Sequence, residues 1–336
     1  MARRGKLPWQ AVGRWLSATA VALLLAAIPG GATASAASAG MHLVTLGTRS
    51  GPNPTVGRAQ SSNLLIVNGS YYLVDAGDGV VRRLTRAGIR IRDIGKIFIT
   101  HAHSDHTGGL PSLLQVQFDA NRISKVDIYG PPGTDILSRA IMGYLDVNSD
   151  IRTSEGTQTQ PVHDMVASHE VGTGEIYRDA NVTVKAVENA HFHFAPGTVA
   201  YGRFKSYAYR FEGAGRTIVL TGDSGPSDAV TKFAEGADLL VSEVNQPEEA
   251  KQRRINSGDW QQLSPAEQAA FMRHMTEEHL TPEEVGKMAQ RARVKKVVLT
   301  HIPGTSNPDD DYARYAAAVR KYFAGEVVIA RDLMQF

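Results

Sequence analysis

The sequence contains no cysteine. That excludes disulfide staples, so a chain of 336 residues must be held together by its apolar core, for which it is long enough. It also lacks charge of one sign: 36 Lys and Arg stand against 34 Asp and Glu, a formal net charge of +2. Part of that small excess lies at the N-terminus, and without that stretch no basic surplus remains to suggest nucleic acid as a main partner. Long apolar runs are missing as well. The most apolar stretch, Leu16 to Ile28, is too short to cross a membrane comfortably.

That short run has another meaning. Arg3, Arg4, Lys6 and Arg14 provide positive charge before and around it, and Ala-x-Ala sites ending at Ala34, Ala36 and Ala39 follow. A positive segment, an apolar segment and a small-residue cleavage site together read as a secretory signal peptide. The expectation is therefore a leader over 1–39, cleaved between about 34 and 39, and one exported globular domain over 40–336. An uncleaved N-terminal anchor is the alternative. Arg3-Arg4 raises twin-arginine export, but Gly5 and Lys6 stand where apolar residues should follow.

What is present in excess is local. Thr100-His101-Ala102-His103-Ser104-Asp105-His106-Thr107-Gly108-Gly109 holds three histidines and an aspartate behind the apolar run Ile97-Phe98-Ile99. The pattern reads as a buried strand opening into a loop. In an extended segment alternate side chains share a face, so His101, His103 and Asp105 point one way and His106 another. Imidazole and carboxylate are ligands for a borderline metal such as zinc. His101 and His103 would serve one ion, Asp105 and His106 a second. The bland alternative is a polar loop with chance histidines.

Along the chain the pattern predicts strands at 42–46, 64–67, 71–75, 96–100, 126–129, 182–186, 206–211, 216–221, 238–242, 296–300 and 327–330. Asn68-Gly69 marks a hairpin turn. Helices are expected at 80–87, 110–118, 134–144, 264–274, 282–292 and 310–322, with Thr281-Pro282-Glu283-Glu284 as a capping box with proline at the first helical position. Residues 147–164 read as an exposed, turn-rich insertion. Lys96-Ile97-Phe98-Ile99-Thr100-His101 is echoed by Lys296-Val297-Val298-Leu299-Thr300-His301, and Val74-Asp75-Ala76-Gly77 by Leu220-Thr221-Gly222-Asp223. Each half reads as hairpin, acidic turn, then strand into histidine. Two such sheets packed face to face with helices outside give an α/β fold of four layers, an αββα sandwich, with ligands from both halves meeting at the edge between the sheets.

His-x-His-x-Asp-His after an Ile-Thr strand end resembles the signature of the metallo-β-lactamase superfamily. The longer match runs from Leu46-Gly47-Thr48 through Ser61-Ser62-Asn63-Leu64-Leu65 and Asp75-Ala76-Gly77 to Gly108-Gly109-Leu110-Pro111. It is similar to that superfamily's ribonuclease Z-like branch, which includes tRNA 3′-processing nucleases, cyclic-nucleotide phosphodiesterases and metallo-type arylsulfatases. The resemblance covers about residues 41 to 336. It implies two zinc ions per chain, with manganese or iron as alternatives. By the family pattern His101, His103 and His191 hold one ion; Asp105, His106 and His301 hold the other; Asp223 bridges both. The absence of cysteine removes a ligand that some members use. His193 competes with His191. Asp223 has a second reading as the cap of a helix beginning near Pro226, and His301 as a core histidine.

The chemistry implied is hydrolysis. Two cations lower the pKa of a bridging water, giving a metal-bridged hydroxide nucleophile, and neutralise charge developing on a phosphate or sulfate ester. Asp105 would orient that nucleophile or receive its proton. His279, in Glu278-His279-Leu280-Thr281, is similar to a histidine of the branch in a His-x-Thr setting that protonates the leaving oxygen; its other reading is a surface histidine at a helix end. Glu243 would orient a neighbour, and His42, His163, His169 and His274 have no motif behind them. The expectation is an exported binuclear hydrolase of small esters, phosphodiester or sulfate, with a homodimer left open. Nucleic acid and a stable membrane span are not expected. Three departures count against tRNA processing: the leader, an insertion at 147–164 without basic Gly/Pro-rich character, and Ile302-Pro303-Gly304 after His301 in place of the nucleases' Ser and Arg. A β-lactamase or lactonase, a ribonuclease Z-type nuclease, and an inactive metal- or solute-binding protein are the alternatives.

Overall fold

A computed structural model describes residues 40–122, 124–158, 161–304 and 312–336. The expected leader over 1–39 and the first two residues of the helix expected at 310–322 lie outside the described residues.

Two seven-stranded sheets carry the chain. The first is built from β1 (Met41–Gly47), β2 (Ser62–Val67), β3 (Ser70–Val74), β4 (Lys96–Phe98), β5 (Val126–Gly130) and β6 (Val166–Glu170). The second takes β7 (Gly174–Arg178), β8 (Thr183–Glu188), β9 (Tyr207–Gly213), β10 (Arg216–Leu220), β11 (Leu239–Glu243), β12 (Lys296–Thr300) and β13 (Glu326–Ile329). A final β14 (Met334–Gln335) returns to pair with β1. The two halves share a pattern. In each, antiparallel strands hand over to parallel ones, from β3 to β6 in the first and from β10 to β13 in the second. The hairpin turns follow the sequence: Asn68 and Gly69, then Ala214 and Gly215, all have positive φ, as two-residue turns matched to strand twist require.

Helices cover the outer faces. On the first sheet lie α1 (Val80–Arg86), α2 (Ser104–Thr107), α3 (Leu110–Asp119) and α4 (Thr134–Ser154). On the second lie α5 (Asp228–Phe233), α8 (Pro282–Ala292) and α9 (Ala313–Val319), while α6 (Pro247–Ser257) and α7 (Pro265–Glu277) pack on each other and bury little. Three cores result. Leu84, Leu113, Leu114, Phe118 and Leu145 pack on one face of the first sheet, and Val285, Ala289, Tyr315 and Val319 on the outer face of the second. Between the sheets Phe98 stacks on Tyr129 at 5.1 Å and meets the edge of Phe211 at 5.3 Å. The four-layer α/β sandwich is therefore observed.

Several expectations need correction. Residues 147–154 are not a turn-rich insertion but the last two turns of α4. Leu145 and Ser149 continue its buried face, and Asn148 and Arg152 bond Asp119 at the end of α3. Those contacts outweigh the polar composition that hid the helix. The metal loop is extended only as far as His103, because residues 104–107 form a helical turn. Asp105 and His106 therefore converge instead of facing apart. The acidic turns of the two halves are not equivalent either. Asp75 N–H bonds the Phe98 carbonyl as Thr221 N–H bonds that of Val241, so Asp75 matches Thr221 in position, and only Asp223 enters the ligand cluster.

Candidate metal centre

Buried parallel strands end where the sheets meet, and their C-terminal ends deliver the site. The stretch after β4 leads into His101, β10 leads into Asp223, β11 ends at Glu243 and β12 leads into His301. His191 follows β8, in a segment fixed by the bond from Gly225 N–H to the Ala190 carbonyl (2.9 Å) and that from Asn189 Nδ2 to the Thr221 carbonyl (2.9 Å). His301 has a φ of 48°, in the left-handed region that a residue with a Cβ rarely enters.

The seven residues expected as ligands meet in two groups. In the first, His101 Nε2 and His191 Nε2 each lie 3.1 Å from His103 Nδ1. In the second, His301 Nε2 lies 3.0 Å from Asp105 Oδ2 and 3.3 Å from Asp223 Oδ2, and His106 Nε2 lies 3.3 Å from Asp223 Oδ1. Ligand atoms of Asp105, His106, Asp223 and His301 all fall within 4.8 Å of one another. His193 is exposed and outside both groups. Asp223 does not cap a helix, because α5 begins later and is capped by Ser227.

The donor set suits cations. His106 Nε2 and Asp223 Oδ1 face each other, buried, yet neither makes a hydrogen bond among the described residues. Buried polar atoms left so are costly unless a further partner binds them. Burial together with the charges of His106 and His191 pushes His101 well below its ordinary pKa, and burial lowers His103 and His191 too, which favours the neutral imidazole that binds metal. Burial would raise Asp105, but His106 and His301 hold it well below the carboxylate range. Burial would likewise lower His106, but Asp223, Asp105 and Asp75 outweigh it. The second group thus attracts positive charge.

Supporting residues fix the ligands. Asp75 lies in the Asp75-Ala76-Gly77 motif, which by itself gives it no role. Its Oδ2 is bonded to His106 Nδ1 (2.8 Å), and its Oδ1 accepts from Thr100 N–H (2.8 Å), which leaves His106 Nε2 facing the cluster. Gly51 N–H donates to Asp105 Oδ2 (2.7 Å), and a side chain at Gly51 would overlap the Asp105 carboxyl group. The carbonyl of Glu278 accepts from His191 Nδ1 (2.9 Å).

His279 lies within this architecture, not on the surface. One of its ring nitrogens is within 4.8 Å of ligand atoms of His191 and Asp223. Its Nδ1 donates to Glu243 Oε2 (2.7 Å), so Glu243 does orient a neighbour. Its Nε2 lies 3.3 Å from His274 Nε2, and His274 Nδ1 is 2.7 Å from Glu278 Oε2. Burial would lower His279, but the Glu243 charge and hydrogen bond raise it to about 9, so the ring is protonated at neutral pH. His274 was missed because only the end of α7 brings it beside His279.

The family model described as beta-lactamase superfamily domain matches residues 70–302. Ribonuclease Z of Methanothermobacter thermautotrophicus is 30% identical over 290 residues, covering 78% of this chain and 86% of the relative. Ribonuclease Z of Methanosarcina mazei is 26% identical over 335 residues, covering 88% and 97%. Among solved structures, the short form of human tRNase Z is 25% identical with a TM-score of 0.59, covering 88% of this chain and 98% of that one. The metallo-beta-lactamase fold protein YhfI of Bacillus subtilis has a TM-score of 0.62 at 20% identity, covering 88% and 99%, a likeness of fold.

Proposed function

From the premise that the chain belongs to the beta-lactamase superfamily and is a metal-dependent hydrolase, we propose that it hydrolyses phosphodiesters of the kind found in nucleotides and RNA. We further propose that it does so with two ions, zinc being the first candidate. His101, His103 and His191 would hold one; Asp105, His106 and His301 the other; Asp223 would reach both. When bound, such ions supply Lewis-acid charge and a water of lowered pKa.

The rest is the work of the chain. Gly51 N–H and the helical turn at 104–107 fix Asp105, whose carboxylate would orient the attacking water or receive its proton. Asp75 sets the orientation of His106. The observation that carries the reading is the position of His279, held through its Nδ1 by buried Glu243 at 2.7 Å beside the ligand cluster. An alkoxide such as a ribose oxygen leaves poorly without a proton, and a positioned imidazolium supplies one. An aryl sulfate has far less need of that group. The relatives' name, Ribonuclease Z, supports the same choice and weighs against the expectation that nucleic acid is no partner. An exported location, supported by the pattern of residues 1–39, would favour short or cyclic nucleotides over tRNA precursors.

The test is hydrolysis by the zinc-loaded protein of an aryl phosphodiester and an aryl sulfate side by side. Preference for the diester is expected, with nucleotide diesters as the next substrates. Preference for the sulfate would overturn the reading.

A further inference from the structure

Arg49 follows β1, in the loop that crosses the edge of the metal cluster. Its backbone bridges two segments, Gln60 on one side and Ile302, the neighbour of His301, on the other. Two residues on, Gly51 holds Asp105. The Arg49 backbone is thereby fixed between the supports of two residues of the second ligand group. Its side chain is not satisfied: Nε and Nη1 are buried and have no hydrogen-bond partner among the described residues.

Other arginines nearby are treated differently. Arg83 pairs with Asp332 at 2.8 Å, and Arg314 pairs with Glu249 at 2.9 Å. Asp332 bonds to Arg49's own surroundings but not to Arg49: its oxygens accept from Thr48 N–H, Thr48 Oγ1 and Ala59 N–H, in addition to Arg83. Burial and the charge of Arg58 both press against the Arg49 charge, with Arg253 adding to them, while Tyr312 and Asp105 offset part of this. A guanidinium cannot shed its proton, and burying two of its nitrogens with no partner among the described residues is a costly feature. It is explained if the missing counter-ion arrives with the substrate.

We propose that Arg49 is a specificity-determining residue that binds a second phosphate on the substrate, next to the phosphodiester being cleaved. A guanidinium whose Nε and Nη1 find no partner among the described residues has N–H donors left over for phosphate oxygens. The inference rests on the phosphodiesterase reading above and narrows it: the preferred substrate is a diester that carries another phosphate, as a nucleotide or oligonucleotide does. One phosphate held here and the scissile one at the ions fix the substrate at two points, which favours attack in a single orientation.

The experiment compares thymidine 5′-(4-nitrophenyl phosphate) with the same compound bearing a 3′-phosphate, on the zinc-loaded wild type, Arg49→Met and Arg49→Lys, with metal content measured in each. The wild type should favour the 3′-phosphorylated substrate through KM. In Arg49→Met that preference, as a ratio of kcat/KM, should fall about tenfold, equivalent to about 1.4 kcal/mol, and Arg49→Lys should recover part of it. Thermal melting gives a readout without turnover: thymidine 3′,5′-bisphosphate should stabilise the wild type more than thymidine 5′-monophosphate, and Arg49→Met should erase the difference. A preference equal in wild type and Arg49→Met, with no change in the melting difference, overturns the assignment while leaving the phosphodiesterase reading intact. Hydrolysis of neither compound by the metal-loaded wild type overturns that reading, and this one with it.

Discussion

His279 shows how a side chain acquires a task from its neighbours. Alone it would be half protonated near its ordinary pKa of about 6.5. Glu243, buried and 2.7 Å away, keeps it charged at neutral pH. The hydrogen bonds assign its two protons. His274 gives its Nδ1 proton to Glu278, so its Nε2 is free to accept the Nε2–H of His279. That same N–H is the one a leaving oxygen would take. His279→Ala should therefore lower kcat on a diester with an alkyl leaving group by about 10²- to 10⁴-fold. The loss should be much smaller with 4-nitrophenolate, which leaves without help. Metal content, measured by mass spectrometry, should stay near the wild-type value, since His191 and Asp223, the ligand candidates beside His279, keep their partners in the two ligand groups. Equal losses with both leaving groups would remove the proton-donor role.

The joints between elements are where the fold can be tested apart from its chemistry. Asp179, in the turn between β7 and β8, accepts from Tyr72 of the first sheet at 2.6 Å and from Tyr177 of the second at 2.8 Å. Burial would raise its pKa, but the Tyr72 hydrogen bond and the backbone N–H groups of Val182 and Asn181 lower it. A depressed carboxylate contributes stability that is present above its unfolded pKa of about 3.9 and is lost as pH falls through the folded value. Asp179→Asn should cost about 1 kcal/mol in urea unfolding at pH 7, a modest figure because the group is partly exposed. The difference from wild type should shrink below about pH 4. A constant difference across that range would mean that the charge plays no part. The same elements show what could be read without coordinates. Central strands β4, β11 and β12 are buried on both faces and carry continuous apolar runs, so they were visible. The capping box of α8 is formed as written, with Thr281 and Glu284 bonded reciprocally. Edge strands β6 and β7 were not visible, since an edge needs little apolar surface and much of theirs is polar. Helix α6 buries only Ala250, so it had no core face to read, whereas α7, expected at 264–274, is found over Pro265–Glu277. Among the site residues, His101, His103, Asp105 and His106 stood out because they crowd into one short stretch, while His191, Asp223 and His301 were expected only from the family resemblance. Asp75, Gly51 and His274 were not assigned roles, because each acts through a partner distant in sequence.

The centre belongs to both halves of the molecule. His101, His103, Asp105 and His106 come from the first sheet's segments; His191, Asp223 and His301 come from the second's. Neither half alone assembles either ligand group. An ion held there would act as a tie between the sheets, added to the apolar core that Phe98, Tyr129 and Phe211 form between them. In the unfolded chain the seven residues are dispersed and bind weakly, so ion binding is coupled to folding. Free ion at a thousandfold its dissociation constant should add about 4 kcal/mol of stability. A chelator should therefore lower the melting temperature of the whole domain as one cooperative unit, and zinc should restore it. His301→Ala, which removes a ligand from the second half, should abolish most of the zinc-dependent rise. If chelation left the melting temperature of the metal-loaded wild type unchanged, the sheets would be held by their apolar interface alone, and the buried clustering of Asp105, His106, Asp223 and His301 would need an explanation other than a shared ion.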